Sequence, residues 1–218
     1  MRIETANANR AELYDLLGYC IAPLPIALIS TIGEDGVYNA APFSFTAPVS
    51  VKPPIICVSI SGRQGQKKHT WRNIEWSRDF VTNFVDETMI EQAIQASANY
   101  PSGVDEIKEV GLTAIPGERV RSPRIAESKI SLECRLLQIS EFEEEGRDGV
   151  GLRCIIFGQV VLGHIRDEVW VNGKIDPLRL HAIGRLGKGL YCRTRDVLEV
   201  PEPYELSREC FGSTSENA

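Results

Sequence analysis

The stretch from Asn39 to Ile74 lacks acidic residues altogether, although 30 of the 218 residues in the chain are Asp or Glu. Even spacing would place about five carboxylates in a window of this length. The basic side chains in it are Lys52, Arg63, Lys67, Lys68 and Arg72. This local inversion of charge suits a ligand with a flat apolar head and an anionic tail. A buried strand followed by a solvated basic face explains the same window, so both interpretations stay open on charge alone.

Other absences narrow the class of protein. No secretory signal opens the sequence, and the apolar runs stop well short of the ~18 residues that a membrane span needs. The six cysteines show no CxxC and no regular spacing, which favours free thiols in a reducing cytoplasm. The net charge of −6 argues against nucleic acid, because a duplex needs a broad positive face. We therefore expect a cytoplasmic protein with neither membrane nor nucleic-acid partners.

Standard catalytic motifs are also missing. No GxGxxG opens a helix after a strand, no GxSxG is present, and GRLGKGL at 184–190 departs from a phosphate loop at two positions. The histidines, His69, His164 and His181, lack the paired spacing of a zinc site, so no metal is expected. No residue is an obvious candidate for acid–base catalysis, so the catalytic residues stay unassigned. Cofactor enzymes can leave such chemistry to the cofactor.

The overall pattern predicts one mainly β domain over residues 1–218. The apolar fraction of 43% and charged fraction of 25% are typical of a globular protein. Predicted strands cover 26–32, 37–45, 55–60, 79–85, 129–139, 152–165 and 169–173, and predicted helices cover 9–18, a segment capped by Thr70, and 88–98. Six or seven strands with short helices favour an antiparallel barrel over a βαβ sheet, and a sandwich shares the same signature.

The connections are predicted from turn residues and glycine content. Asp35-Gly36 marks a hairpin turn. The acidic, glycine-containing segment 141–151 is expected to form a loop, and 178–191 is too glycine-rich for regular structure. The last ~15 residues are expected to form a tail.

Several segments together resemble the flavin reductase-like, FMN-binding split-barrel family, whose members include flavoredoxin and the reductase components of two-component monooxygenases. These segments are PLPIALIST, NAAPFSF, PPIICVSI, KKHTWRNI, DFVTNF, SPRIAES, SLECR and GRLGKGLY, in this order over about residues 20–195. The resemblance implies a six-stranded antiparallel Greek-key split β-barrel with an N-terminal helical lead-in. It also implies a homodimer with FMN held near the dimer interface.

The resemblance further implies an FMN-binding oxidoreductase. Such a protein transfers electrons from NADH or NADPH to flavin or to a flavin-dependent partner such as a monooxygenase. Hydride would pass to flavin N5 without a protein nucleophile. Two alternatives remain at this point, a non-enzymatic FMN electron carrier and a flavin-independent binding module.

The family's cofactor contacts carry over to positions in four segments. They are Asn39, Ala40, Ser44 and Phe45 along the ring, Ser59, Ser61, Gly62, Arg63, Lys67 and Thr70 toward the phosphate, and Asn83 and His164 near the ring. Arg63, Lys67 and Thr70 are expected to hold the phosphate, and Lys68 and Arg72 to point away as solvated charge.

The chain departs from the family pattern at two positions. Leu24 stands where many relatives have Arg, and His69 stands where the usual acid of K-D-T would be. The first departure removes one candidate phosphate contact, and the second adds a weak base.

Overall fold

A computed structural model describes residues 2–146 and 149–200, and the C-terminal tail expected from the sequence lies outside the described residues. The helices are α1 (Arg10–Cys20), α2 (His69–Ser77), α3 (Ile90–Gln95), α4 (Glu106–Glu109) and α5 (Pro177–Leu180), with 3-10 turns at Thr5–Asn7 and Asp167–Val169. The strands are β1 (Leu24–Pro25), β2 (Ala27–Ile32), β3 (Tyr38–Phe43), β4 (Thr46–Ser50), β5 (Ile55–Ser61), β6 (Asp79–Phe84), β7 (Ala114–Ile115), β8 (Arg124–Ile125), β9 (Ile130–Gly146), β10 (Gly149–Ile165), β11 (Trp170–Val171), β12 (Lys174–Ile175), β13 (Ile183–Gly187) and β14 (Leu190–Arg193). The mainly β prediction is confirmed. No described helix has the length and apolar character needed to cross a bilayer.

The main sheet has seven strands in the order β3-β2-β6-β9-β10-β5-β4. Every neighbouring pair is antiparallel, so β3 and β4, at the two edges, run in the same sense. Only Ser44 and Phe45 separate these strands along the chain, a link that reaches at most about 11 Å. The sheet must therefore curl until its edges approach each other, with no ladder between β3 and β4. The expected count of six strands is wrong, because β4 adds a seventh.

The two longest strands form a hairpin that extends beyond the sequence prediction. The segment 141–151 was expected to be a loop, but β9 runs to Gly146 and β10 starts at Gly149; residues 147 and 148 lie outside the described residues. Glu143 pairs with Leu152, and Glu141 with Cys154. The acidic side chains at 141 and 143 are exposed, so they are tolerated on the solvent face of a strand whose backbone is paired.

Two apolar clusters flank the sheet. The first packs strand side chains against α2 and contains fully buried Trp71, Ile74 and Phe80. The second covers the opposite face with residues of α3 and α4, including Ala93 and Ile107. Both faces of the curled sheet are therefore covered, which fixes the position of α2 and α4 relative to β3.

A smaller sheet joins β1, β13 and β14. It corrects the prediction that 178–191 lacks regular structure, because the backbone of β13 pairs with both β1 and β14. The guanidinium of Arg185 donates to Ser44 Oγ at 3.2 Å, to the Gly187 carbonyl at 3.0 Å and to the Tyr14 hydroxyl at 2.6 Å. This arginine ties α1 and the small sheet to the β3–β4 link.

The predicted strand 169–173 is instead a 3-10 turn followed by a short hairpin of β11 and β12. Asn172 and Gly173 both have positive φ, 51° and 79°. Asn-Gly accommodates this conformation in a two-residue turn.

Candidate functional site

A cavity of about 1150 Å³ opens between β3, the end of β5 with its following loop, and the start of α2. Six of the residues carried over from the family pattern line this cavity, namely Asn39, Ser61, Gly62, Arg63, Lys67 and Thr70. Its far wall comes from the segment 96–101 and Glu106. The acid-free stretch of the sequence therefore forms one side of a real cavity.

A tight turn shapes the β5 end of this cavity. Arg63 and Gln66 exchange two backbone hydrogen bonds of 2.8 Å, and Gln64 and Gly65 between them have positive φ of 48° and 70°. A Cβ on Gly62 would lie 2.8 Å from the Gln66 carbonyl oxygen. The close backbone approach therefore requires glycine at position 62.

Three cations in the lining have no internal counter-charge. Among the described residues, no carboxylate lies within 4.0 Å of Arg63, Lys68 or Arg72. Burial lowers the pKa of Lys68, and the charges of Arg63 and Arg153 lower it further. Lys68 and Arg72 were expected to point away from the phosphate as solvated charge, but both line the cavity, which carries excess positive charge.

Lys67 also lines the cavity, but its charge is balanced. Its Nζ lies 2.6 Å from Glu75 Oε1 and 2.8 Å from Glu141 Oε1. Burial lowers its pKa, yet the two carboxylates outweigh burial and the net pKa is raised. Glu75 also accepts from Trp71 Nε1 at 3.2 Å. The assignment of Lys67 to phosphate therefore stays a prediction that must compete with two existing ion pairs.

Thr70 does not cap α2, in contrast to the sequence prediction. The N-cap residue is Lys68, which makes no side-chain cap, and Thr70 lies buried in the first turn. Its Oγ1 lies 3.1 Å from the Asn39 carboxamide. The helix start at the cavity is thus left without a side-chain acceptor for its first N–H groups, which favours an anion there.

Glu106 is a site residue that the sequence reasoning missed. It lies buried in the cavity wall, where Oε2 accepts from the Ala40 N–H at 3.3 Å and Oε1 lies 3.8 Å from His69 Nδ1. Burial raises the pKa of Glu106 to about 7; the Ala40 N–H opposes this shift, and Asp105 adds to it. The available signal was weak, because Glu106 is one of three acids in 105–109, a pattern typical of an exposed helix start.

His69 faces Glu106 as a weak base. Burial lowers its pKa, the charge of Arg72 lowers it further, and Asp35 opposes both. Its Nε2 lies 3.3 Å from Ser102 Oγ. His69, Asn39 and Arg72 also line a neighbouring cleft of about 480 Å³, so they separate two compartments.

Four other carried-over residues are absent from the cavity lining. Ala40 is buried behind the β3 wall. Ser44 Oγ accepts from Arg185, and the Phe45 carbonyl accepts from the Ser59 N–H at 2.8 Å. Ser59 Oγ accepts from Arg153 Nη1 at 3.1 Å. Their contact with a flavin stays a prediction.

Asn83 lies in the core and does not line the cavity. Its Nδ2 donates to the Leu28 carbonyl at 3.0 Å and to Ser30 Oγ at 2.9 Å. Its Oδ1 accepts from the Ile125 N–H at 3.0 Å and from Ser131 Oγ at 2.8 Å. These four bonds satisfy its carboxamide within the protein.

His164 also lies away from the cavity lining. Its Nε2 is 2.8 Å from Oε1 of the fully buried Glu133. Glu133 further accepts the backbone N–H groups of Glu118 and Arg119 at 2.9 and 2.6 Å. The histidine therefore pairs with a structural carboxylate, and its contact with a flavin stays a prediction.

Comparisons with known proteins agree with this architecture. A family model described as a flavin reductase like domain matches residues 20–179. An uncharacterised protein of Halalkalibacterium halodurans is 32% identical over 204 residues, covering 93% of this chain and 97% of that protein. The crystal structure of nitrilotriacetate monooxygenase component B from Bacillus cereus superposes with a TM-score of 0.85 at 28% identity, covering 92% of this chain and 98% of that one. The crystal structure of the 2-nitrobenzoate 2-nitroreductase NbaA of Pseudomonas fluorescens superposes with a TM-score of 0.80 at 28% identity, covering 94% of this chain and 97% of that one. The fold is therefore that of the flavin reductase split barrel, and the chain belongs to the flavin reductase-like family.

Proposed function

We propose that the large cavity binds FMN and that the protein is an NAD(P)H-dependent flavin reductase. The observation that carries the proposal is the group of three cations, Arg63, Lys68 and Arg72, that line the cavity with no carboxylate of the described residues within 4.0 Å. An unbalanced positive cavity in a flavin reductase-like protein suits a cofactor that ends in a phosphate.

The residues present fit FMN at its phosphate end. The uncapped start of α2 and the Arg63 turn both border the cavity, so backbone N–H groups and cations converge on one region. Glycine at position 62 preserves the turn that shapes this region, since a side chain there would collide with the Gln66 and Leu152 backbone. The cavity volume of about 1150 Å³ exceeds the range of common small-molecule pockets.

The chain's own contribution is binding and orientation. When bound, FMN would supply the hydride-accepting chemistry. Arg63, Lys68 and Arg72 would hold its phosphate, and the Asn39 edge of β3 would face the remainder of the ligand. The smaller cleft, separated from the cavity by His69, offers a place for a second ligand next to the first.

We propose oxidised flavin or a flavin-dependent oxygenase as the electron acceptor. The nitrilotriacetate monooxygenase component B fold match supports a monooxygenase partner, because that protein is named as one component of a larger enzyme. The cytoplasm remains the proposed location, supported by the free state of the cysteines that the structure describes.

We also propose that the protein is a homodimer. Exposed apolar side chains cluster on and after α1, at Leu17, Tyr19 and Ile21, and again at Leu190. Such side chains are favourable at an interface between copies. Sedimentation that finds only monomer at micromolar concentration would reject this part of the proposal.

The test is the visible spectrum of the purified protein with added FMN, recorded anaerobically before and after NADH or NADPH. A reductase shows flavin absorbance that bleaches with at least one nicotinamide. Bleaching by dithionite alone would replace the reductase with an electron carrier. FMN fluorescence that is unchanged on titration with the protein would indicate a flavin-independent module.

A further inference from the structure

The Asn39 carboxamide lies between Glu106 and Thr70, and its two orientations suit different protonation states of Glu106. In one, Nδ2 donates to Thr70 Oγ1 at 3.1 Å but also lies 3.1 Å from the Ala40 nitrogen, and Oδ1 faces the carboxyl oxygens of Glu106, which cannot donate to it when ionised. In the other, Nδ2 lies 3.2 and 3.3 Å from those oxygens, and Oδ1 accepts from Thr70 Oγ1 at 3.1 Å and from the Ala40 N–H at 3.1 Å. The two orientations reverse the direction of every hydrogen bond along this row of side chains.

The proton on Glu106 selects between them. An ionised carboxylate can only accept hydrogen bonds, so it requires the orientation that directs Nδ2 toward Glu106. A protonated carboxyl has one O–H to donate, and Asn39 Oδ1 can accept it in the opposite orientation. In the first orientation the Ala40 N–H donates to Glu106 Oε2 although Asn39 Nδ2 also faces it, and in the second it has Asn39 Oδ1 as an acceptor.

The consequence appears at Thr70, whose hydroxyl has a single proton to donate. When Glu106 is ionised, that proton is used on Asn39 Oδ1. When Glu106 is protonated, Asn39 donates to Thr70, and the Thr70 O–H is free to donate elsewhere. Thr70 is buried and lines the cavity together with Lys68 and Arg63, so an anion held there is the natural acceptor.

We propose that Glu106 is a positioning residue for the phosphate end of the cavity, whose proton acts through Asn39 to turn the Thr70 hydroxyl toward a bound phosphate monoester. This inference rests on the proposed function, since it assumes that FMN places its phosphate beside Thr70. It adds that binding of FMN takes up a proton, whereas binding of riboflavin does not.

The groups around Glu106 bring the pKa of its carboxyl close to neutral pH. Its own helix contributes the neighbouring Asp105, α2 contributes His69 at 3.8 Å, and β3 contributes the Asn39 carboxamide and the Ala40 N–H. Burial, with Asp105 adding to it, raises the pKa of Glu106 to about 7. The carboxyl therefore holds its proton below about pH 7 and releases it as the pH rises through this value.

The experiment measures the dissociation constants of FMN and riboflavin by fluorescence, from about pH 6 to about pH 8.5. In the unmodified protein, the preference for FMN over riboflavin should fall about 10-fold across this range, the equivalent of one lost hydrogen bond. Glu106→Gln should keep a high preference without the fall, because its amide donates to Asn39 Oδ1 at every pH. Thr70→Val should have the low preference throughout.

Glu106→Gln also serves as the control for titration of the FMN phosphate. The phosphate of FMN has its own pKa near 6, which by itself strengthens FMN binding as the pH rises. A fall of equal size in Glu106→Gln and in the unmodified protein would overturn the inference. So would a preference for FMN that does not change with pH. Failure of FMN to bind at any pH would instead remove the proposed function, and this inference with it.

A second measurement needs no flavin and no variant. The Asn39 side-chain amide resonances of the unliganded protein should shift with a midpoint near the pKa of about 7 given for Glu106. Resonances that stay fixed over this range would show that the carboxamide does not respond to Glu106, and would overturn the inference.

Discussion

Lys67 Nζ lies 2.6 Å from Glu75 Oε1, so the charge of this lysine is already balanced within the protein. Its neighbour Lys68 has no carboxylate within 4.0 Å among the described residues, and its pKa is lowered by burial. Lys68→Ala should therefore weaken FMN binding about 10- to 100-fold, the value of one buried charge-assisted hydrogen bond. Lys67→Ala should weaken it less. Titration with FMN and riboflavin measures both, and riboflavin should bind equally well to the two variants.

The comparison also tests the family-based assignment of Lys67. A larger loss for Lys67→Ala than for Lys68→Ala would mean that Lys67 leaves Glu75 and Glu141 to hold the phosphate. Equal losses would mean that the basic stretch acts only as a diffuse positive face.

Glu133 should contribute stability that depends on pH. Burial by itself raises its pKa, but the N–H groups of Glu118 and Arg119 and the nearby His164 outweigh burial, and the net pKa lies below the usual 4.5. A lowered carboxyl pKa stabilises the fold above the unfolded value and loses this effect as the pH falls through the folded value. Glu133→Gln should lower the free energy of unfolding by about 1 to 3 kcal/mol at pH 7. Urea unfolding at pH 7 and near pH 3 should show the gap between the two proteins closing at low pH.

His164→Gln tests the prediction that His164 lies near the flavin ring. Because His164 contacts Glu133 and does not line the cavity, the variant should lose stability and keep its FMN affinity. A large loss of FMN affinity in a stably folded variant would restore the assignment of His164 to the flavin.

Gly158 should tolerate no side chain. A Cβ there would lie 2.7 Å from Phe80 Cε1 and 3.1 Å from Cys134 Cβ, both fully buried. Gly158→Ala should therefore destabilise the protein by about 1 to 3 kcal/mol. Gly163→Ala, in the same strand, meets only Leu132 Cδ2 at 3.4 Å and should be neutral or slightly stabilising. Thermal unfolding of the two variants provides the comparison, and similar losses would contradict the packing described for Phe80.

Arg185 should control the attachment of α1. Its guanidinium reaches Tyr14, Ser44 and Gly187 at once, a geometry that an ammonium group cannot reproduce. Arg185→Lys should speed amide hydrogen exchange in α1 and leave exchange in β9 unchanged. Unaltered exchange in α1 would show that its apolar contacts suffice to hold it.

The sequence was most informative where strands are apolar and regular. The predicted strands 26–32, 55–60 and 79–85 match β2, β5 and β6 to within one residue at each end. β4 was missed because Pro48 interrupts its pattern, and β13 because glycine at 184 and 187 removes the β signal. Pairing with neighbouring strands, which no local pattern records, decided both cases.

The cavity was predictable only in part, for a related reason. The resemblance located the β5–α2 region, and Arg63 and Thr70 do line the cavity. The roles of Lys67 and Lys68 could not be read from the sequence, because the balancing carboxylates of Lys67 include Glu141, which lies 74 residues away. Glu106 was missed because its raised pKa comes from tertiary burial.

The link formed by Ser44 and Phe45 has a consequence for insertions and deletions. β3 is one edge strand of the sheet, and the chain passes through this link directly into β4, the other edge strand. Adding or removing a single residue between them would turn every side chain of β4 to the opposite face, while β3 stays in place. Thr46 would then leave its buried position. Homologous sequences should therefore vary in length at Glu34–Gly36 far more readily than at this two-residue link.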